Sequence, residues 1–304
     1  MGARTRGQVV KEMLKQANTV ASRPWVARLR VEYTYASIGR DLVEAGHLTG
    51  AREMAIGLDP FKGWQRELRG AAFHDMGHEC DDKAAYPTAM KHMVPTSRDM
   101  MTTFLESREE IYEKFGGFLF KEETDGDARR RMIKSICNAF DNDAGIDSWQ
   151  KKHGNPHNRS LKYLKFRLNN GTLFSLAEYW QAQKSSTQWM WDNAGKELQE
   201  FLGERNPKDD LRSKQLRWKS YVLQEAEACC REEKIRWARE KGVEVTSLQH
   251  DGVILSGDFD KEAAVKDIQD RASAKTGYGV RTVMTTCTEY SAIQYEDELP
   301  IVVD

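Results

Sequence analysis

Several absences narrow the class of this chain before any motif is read. No apolar run approaches the ~20 residues of a membrane helix. The N-terminus lacks a signal-peptide core, and Arg6 breaks the myristoylation pattern that Gly2 would otherwise open. The expectation is a soluble protein, cytoplasmic or otherwise intracellular, with no membrane partner. The five cysteines, Cys80, Cys137, Cys229, Cys230 and Cys287, show no CxxC spacing, which predicts reduced thiols and no zinc site. There is no internal repeat and no low-complexity linker. Net charge is missing too: Lys plus Arg (46) nearly cancel Asp plus Glu (47), so the total of −1 excludes no class of partner.

What is present is unevenly placed. Residues 1–40 carry Arg4, Arg6, Lys11, Lys15, Arg23, Arg28, Arg30 and Arg40 against Glu12 and Glu32, while the tail from Glu289 to Asp304 has no Lys or Arg. A basic front suits a polyanion contact or a solvated helix face. With 304 residues there is room for one large domain or two small ones. Periodicity predicts helices over Thr5–Val20, Phe61–Ala72, Thr96–Phe115, Asp127–Phe140, Ser160–Leu168, Leu173–Phe201, Leu211–Lys241 and Lys261–Lys275. Strands are expected over Trp25–Ala36, running into Gly39-Arg40, and over His78–Asp82 and Val280–Thr286.

Val243–Leu255, VEVTSLQHDGVIL, alternates apolar and polar residues, breaks at Asp251-Gly252 and resumes with Val253, Ile254 and Leu255. That is a hairpin pattern with an aspartate at the turn. A second carboxylate site is Asp81-Asp82, where a strand gives way to Tyr86-Pro87; proline cannot continue the strand and suits a helix's first turn. Two Asp at two strand ends can share divalent cations ~3.5–4 Å apart, as in phosphoryl or nucleotidyl transfer. Such carboxylates repel when bare, so Mg²⁺ or Mn²⁺ makes the pair physically sensible. In ARRRMIKSICNAF, Ile133, Ile136, Cys137 and Phe140 form one apolar stripe, and Arg130, Lys134 and Asn138 a neighbouring one with Arg131 beside it. Such a helix buries one face and offers cations to a triphosphate or to water.

These segments together resemble the palm superfamily of nucleic-acid polymerases. Asp81 followed by Tyr86-Pro87 is similar to motif A of family B DNA polymerases, and Lys134-x-x-x-Asn138 to their motif B. Gln249-His250-Asp251-Gly252 resembles motif C of family A and single-subunit RNA polymerases, and Gly39-Arg40 an upstream template-contacting element of the latter. Asp141-Asn142 stand where Tyr-Gly is usual, and no second acidic residue adjoins Asp251. The resemblance implies an α+β fold: a right-hand palm with a small antiparallel sheet (76–95 and 205–290) and a mainly helical fingers or thumb portion (96–204). A basic N-terminal region (1–75) and an acidic tail (291–304) flank it.

In that resemblance the chain is a template-directed nucleotidyltransferase, a DNA polymerase first, with RNA polymerase or primase activity left open. Asp81 and Asp251, with Asp82, hold the Mg²⁺ ions. Lys134, Arg130 or Arg131, and Asn138 hold the nucleoside triphosphate, with Tyr86 as sugar gate. Gly39, Arg40, His250, Lys162 and Lys165 meet template or primer, joined by Lys151, Lys152, Arg159 and Arg167 with Tyr163 and Phe166. Gln224 and Glu227 would reach the minor groove or lie on the surface. A competing resemblance is to HD-domain metal-dependent phosphohydrolases: His74-Asp75 with His47 upstream and a distant Asp such as Asp143.

Overall fold

The computed structural model describes residues 33–35, 37–55, 77–145, 164–248 and 252–287. In chain order its first elements are β1 (Tyr33–Tyr35), α1 (Ser37–Glu44), β2 (Glu53–Ala55), β3 (Gly77–Asp82), α2 (Ala85–Met93) and a 3-10 turn at Pro95–Ser97. There follow α3 (Arg98–Leu119), α4 (Gly126–Asp141), β4 (Lys165–Arg167), β5 (Leu173–Ser175), α5 (Leu176–Asp192) and α6 (Lys196–Arg205). The series closes with α7 (Leu211–Lys241), β6 (Glu244–Leu248), β7 (Val253–Ser256), α8 (Lys261–Thr276) and β8 (Thr282–Thr286). The protein is therefore α+β. Its contacts divide it into Met1–Lys83 with Glu227–Asp304, and Ala84–Ala226. The first unit is discontinuous, and α2 and the start of α7 fall in the second.

In the first unit a four-stranded antiparallel sheet has the order β6-β7-β3-β8. Read as β3-α7-β6-β7-α8-β8, this is a βαββαβ chain path whose first strand lies between its third and fourth. Cys80 of β3, with Val253 and Leu255 of β7, meets Trp237 and Ala238 of α7 and Ala264 and Ile268 of α8 in one core. Both helices thus cover the same face. Asp260 starts α8 by accepting from the Ala263 N–H at 2.9 Å, and Gly277 ends it at φ 72°, a left-handed conformation glycine adopts without strain. β1 and β2 form a separate antiparallel pair.

The second unit is a helical bundle with a short β4–β5 hairpin. The stripe expected on α4 is the one observed: Ile133, Ile136, Cys137 and Phe140 are all buried. Phe104 stacks near Tyr179 at 4.5 Å, and Phe115 meets Phe166 edge-on at 4.8 Å. Burying each such ring is worth roughly 1.5–3 kcal/mol.

Three expectations need correction. The helix over Ser160–Leu168 is a strand at Lys165–Arg167, with residues 160–163 outside the described set. The Asn170-Gly171 turn, with Gly171 at φ 85°, folds it back onto β5; that turn chemistry outweighed the helical spacing. The single helix over Leu173–Phe201 is a strand and two helices, started by Ser175, whose hydroxyl accepts from the Glu178 N–H, and broken at Gly195 (φ 79°). Gly39-Arg40 lie inside α1 rather than at a strand end: a Cβ on Gly39 would come within 2.9 Å of the Ala51 Cβ, so glycine permits that close approach. The predicted elements at Thr5–Val20 and Phe61–Ala72, and most of Trp25–Ala36, lie outside the described residues.

Candidate active site

The site is built on β3, one of the two interior strands of the sheet. It pairs with β7 through Cys80↔Val253 and with β8 through Asp81↔Val283 and Asp82↔Thr282. Side chains alternate along a strand, so Cys80 and Asp82 share the helix-covered face and Asp81 points the other way. Asp81 is half-buried, and its Oδ1 accepts from the Asp82 N–H at 3.0 Å. One step beyond the last β3–β7 pair stands Gly252, buried directly against it. A Cβ there would lie 2.6 Å from the Cys80 carbonyl oxygen and 3.2 Å from Asp81 Oδ1. Only glycine fits this approach, so Gly252 serves packing against Asp81.

Asp251 and His250 lie outside the described residues, as do Gln249, Lys162, His74 and Asp75. The donor chemistry suits Mg²⁺, a hard cation that takes carboxylate oxygens. Gly252 itself adds no side chain beside Asp81 Oδ1. Among the described residues no three His, Cys, Asp or Glu side chains converge on one point.

Asp82, expected with the metal ligands, is held elsewhere. Its Oδ2 lies 2.8 Å from Lys234 Nζ, and its Oδ1 accepts from the Thr282 hydroxyl at 3.0 Å. Lys234 is wholly buried. Burial pulls its ammonium toward neutrality, but Asp82 foremost, with Cys80 and Asp81, outweighs that and carries its pKa above the ordinary lysine range. Burial also pushes the Cys80 thiol up to about 12, against the opposing pull of Lys234. Glu227, expected at the minor groove or surface, is buried and paired with Arg52 at 2.9 Å. Burial raises its carboxyl pKa; Arg52 and Arg231 pull it back, and the charge of Asp81 adds to the rise.

Neither Lys234 nor Arg52 was singled out from the sequence. For Lys234 a signal existed: it interrupts the stripe of Leu223, Cys230, Trp237 and Ala238 along α7, all of them buried. A charge inside an apolar stripe predicts a buried partner.

On the helical unit, Lys134 and Asn138 are exposed at i and i+4 of α4, and Arg131 is exposed 3.4 Å from Asp125. Arg130 makes a two-pronged contact to Glu109, 2.7 and 2.8 Å, and its guanidinium lies 5.5 Å from the Tyr112 ring centre. Hydrogen bonding from Arg130 holds the Glu109 carboxyl below its ordinary pKa. Arg130 also lines a cleft of about 690 Å³, but Glu109, Glu110 and Glu113 line it too. That mixed charge does not suit a phosphate. Tyr86 and Pro87 fall in the first turn of α2, as the proline predicted. Ala84 ahead of them has φ 53° and ψ 50°, a left-handed conformation that costs an alanine roughly 1–2 kcal/mol. Lys165 pairs with Glu178, and Arg40 and Arg167 are exposed.

The phosphohydrolase alternative placed a ligand at Asp143. Its side chain is fully buried and taken by Arg212 and by the Thr187 hydroxyl at 3.0 Å. His47 is half-buried in the turn after α1. No protein-family model matches the chain, and neither does any curated protein. No helix among the described residues is long and apolar enough to cross a membrane.

Proposed function

We propose that this chain is a template-directed nucleotidyltransferase, a DNA polymerase in the first instance, built on a palm-like sheet. The observation that carries the reading is the packing of Gly252 against Asp81 on adjacent central strands of the βαββαβ sheet. Two segments far apart in sequence, each chosen for its carboxylate, meet at one sheet end. Asp81 and Asp251 would share two Mg²⁺ ions that stabilise the attacking and leaving oxygens of the transfer. By motif position, Lys134 and Arg131, with Arg130 once it leaves Glu109, serve the nucleoside triphosphate, and Tyr86 screens its sugar. His250, Gly39, Arg40, Lys162 and Lys165 keep their assignment to the nucleic acid. Asp82 is assigned here to Lys234 rather than to metal. With Asp143 committed to Arg212, no observation among the described residues favours the phosphohydrolase.

The test is extension of a labelled primer with dNTPs and Mg²⁺, on DNA and RNA templates, primed and unprimed. Asp81→Ala and Asp251→Ala should each abolish product while the protein stays folded. Extension that survives either change would sink the assignment.

A further inference from the structure

We infer that Lys234 is a positioning residue for the acidic centre, holding Asp81 in place through Asp82 from the far side of the sheet. The inference rests on the nucleotidyltransferase reading. The chain of contacts is short: Lys234 Nζ to Asp82 Oδ2 at 2.8 Å, Thr282 Oγ1 to Asp82 Oδ1 at 3.0 Å, and the Asp82 N–H to Asp81 Oδ1 at 3.0 Å. The two ionic side chains are almost wholly buried, 0% and 3% exposed, and the residue preceding Asp82 on the strand is the proposed metal ligand, Asp81.

Stability alone is a poor reason for such a pair. Buried ion pairs can often be replaced by packed apolar residues at no cost, because desolvation offsets the Coulombic gain. The same face of the sheet carries an apolar core of Cys80, Trp237, Ala238, Val253 and Leu255. What an apolar pair cannot do is hold the end of β3 by an ion pair at one oxygen of Asp82 and a hydrogen bond at the other. Those bonds fix the Asp82 peptide, and that peptide's N–H orients the Asp81 carboxylate. The lysine also leaves a fixed positive charge behind two neighbouring aspartates. It would hold the acidic centre together before a cation arrives, as outer-shell partners orient ligands in other metal sites.

The experiment is a Mn²⁺ titration of the full chain without nucleotide, followed by electron paramagnetic resonance, with thermal unfolding run on the same samples. Asp82→Asn/Lys234→Met removes both charges at nearly constant volume and should keep the wild-type unfolding midpoint, while its Mn²⁺ affinity falls about tenfold or more. Thr282→Val removes one bond without touching charge and should lower affinity in the same direction by less. It decides the matter should the double variant fail to fold. Lys234→Arg, which keeps the charge, should recover part of the affinity. A purely structural role would move the unfolding midpoint and leave Mn²⁺ affinity alone, and that result overturns the inference. Asp81→Ala and Asp251→Ala separate the two claims. If they abolish Mn²⁺ binding while the Lys234 and Thr282 variants bind as wild type does, only this inference falls. If they also bind as wild type does, the nucleotidyltransferase reading falls and takes the inference with it.

Discussion

Each unit of this protein buries a lysine near an aspartate, and the two arrangements behave differently. In the sheet unit Lys234 touches Asp82 directly, 2.8 Å apart. In the helical unit Lys219 reaches Asp141 only through an amide. Its Nζ donates to Gln183 Oε1 at 3.0 Å, and Gln183 Nε2 donates to Asp141 Oδ1 at 2.7 Å, where the Tyr179 hydroxyl also donates at 2.5 Å. Direct contact keeps the first lysine charged despite burial. With an amide between the charges, burial prevails: the Asp141 carboxyl rises to about 6 and the Lys219 ammonium falls to about 8. One spacer group decides whether a buried pair is locked or able to shed its charges, because Coulombic attraction weakens with distance while the desolvation cost does not.

The largest effect expected from this contrast comes from removing one partner at a time. Lys234→Met leaves Asp82 buried without its counter-charge and should cost roughly 3–5 kcal/mol in denaturant unfolding. Lys219→Met should cost less, about 1–3 kcal/mol, since Asp141 keeps two hydrogen bonds and can take up a proton. Equal losses would erase the distinction between the two pairs.

A pH series sharpens it. The Asp141 carboxyl is raised by folding, so its contribution is fully present below its unfolded pKa of about 3.9 and is lost as pH rises through about 6. The Lys219 ammonium is depressed, so its contribution is present above its unfolded pKa of about 10.4 and is lost as pH falls through about 8. Both are missing between those two pKa values. The unfolding midpoint of the wild type relative to Asp141→Asn/Lys219→Met should therefore be lowest near neutrality and rise toward either side. A difference that is flat with pH would mean that the helical pair stays charged as the sheet pair does.

The smallest effect concerns the segment after β3, where Ala84 is held in a left-handed conformation ahead of α2. Ala84→Gly relieves that strain and should stabilise the protein by about 1 kcal/mol in denaturant unfolding. If the same change slows primer extension, the strained turn serves the proposed site as well as the chain path.

Legibility from sequence followed the range of the physics. The long helix Leu211–Lys241 and the α4 stripe of Ile133, Ile136, Cys137 and Phe140 were readable because a helix repeats every turn and one face must leave water. The strand carrying Asp81 was readable chiefly from the Tyr86-Pro87 step that closes it. The β4–β5 hairpin was missed because spacing over a few residues outweighed the Asn170-Gly171 turn. Arg130 was readable as a cation beside an apolar stripe, but its Glu109 partner on α3 was not.

By itself the sequence determined the course of the longest helix and the apolar and cationic faces of α4. Those are local properties, set by side-chain type and by periods of two and 3.6 residues. Tertiary structure alone decided that Gly252 would lie against Asp81, that Asp82 would turn to Lys234, and that Glu227 would be buried with Arg52. Each of these depends on strand order and helix placement between distant segments, and no local period along the chain encodes a contact made across a sheet.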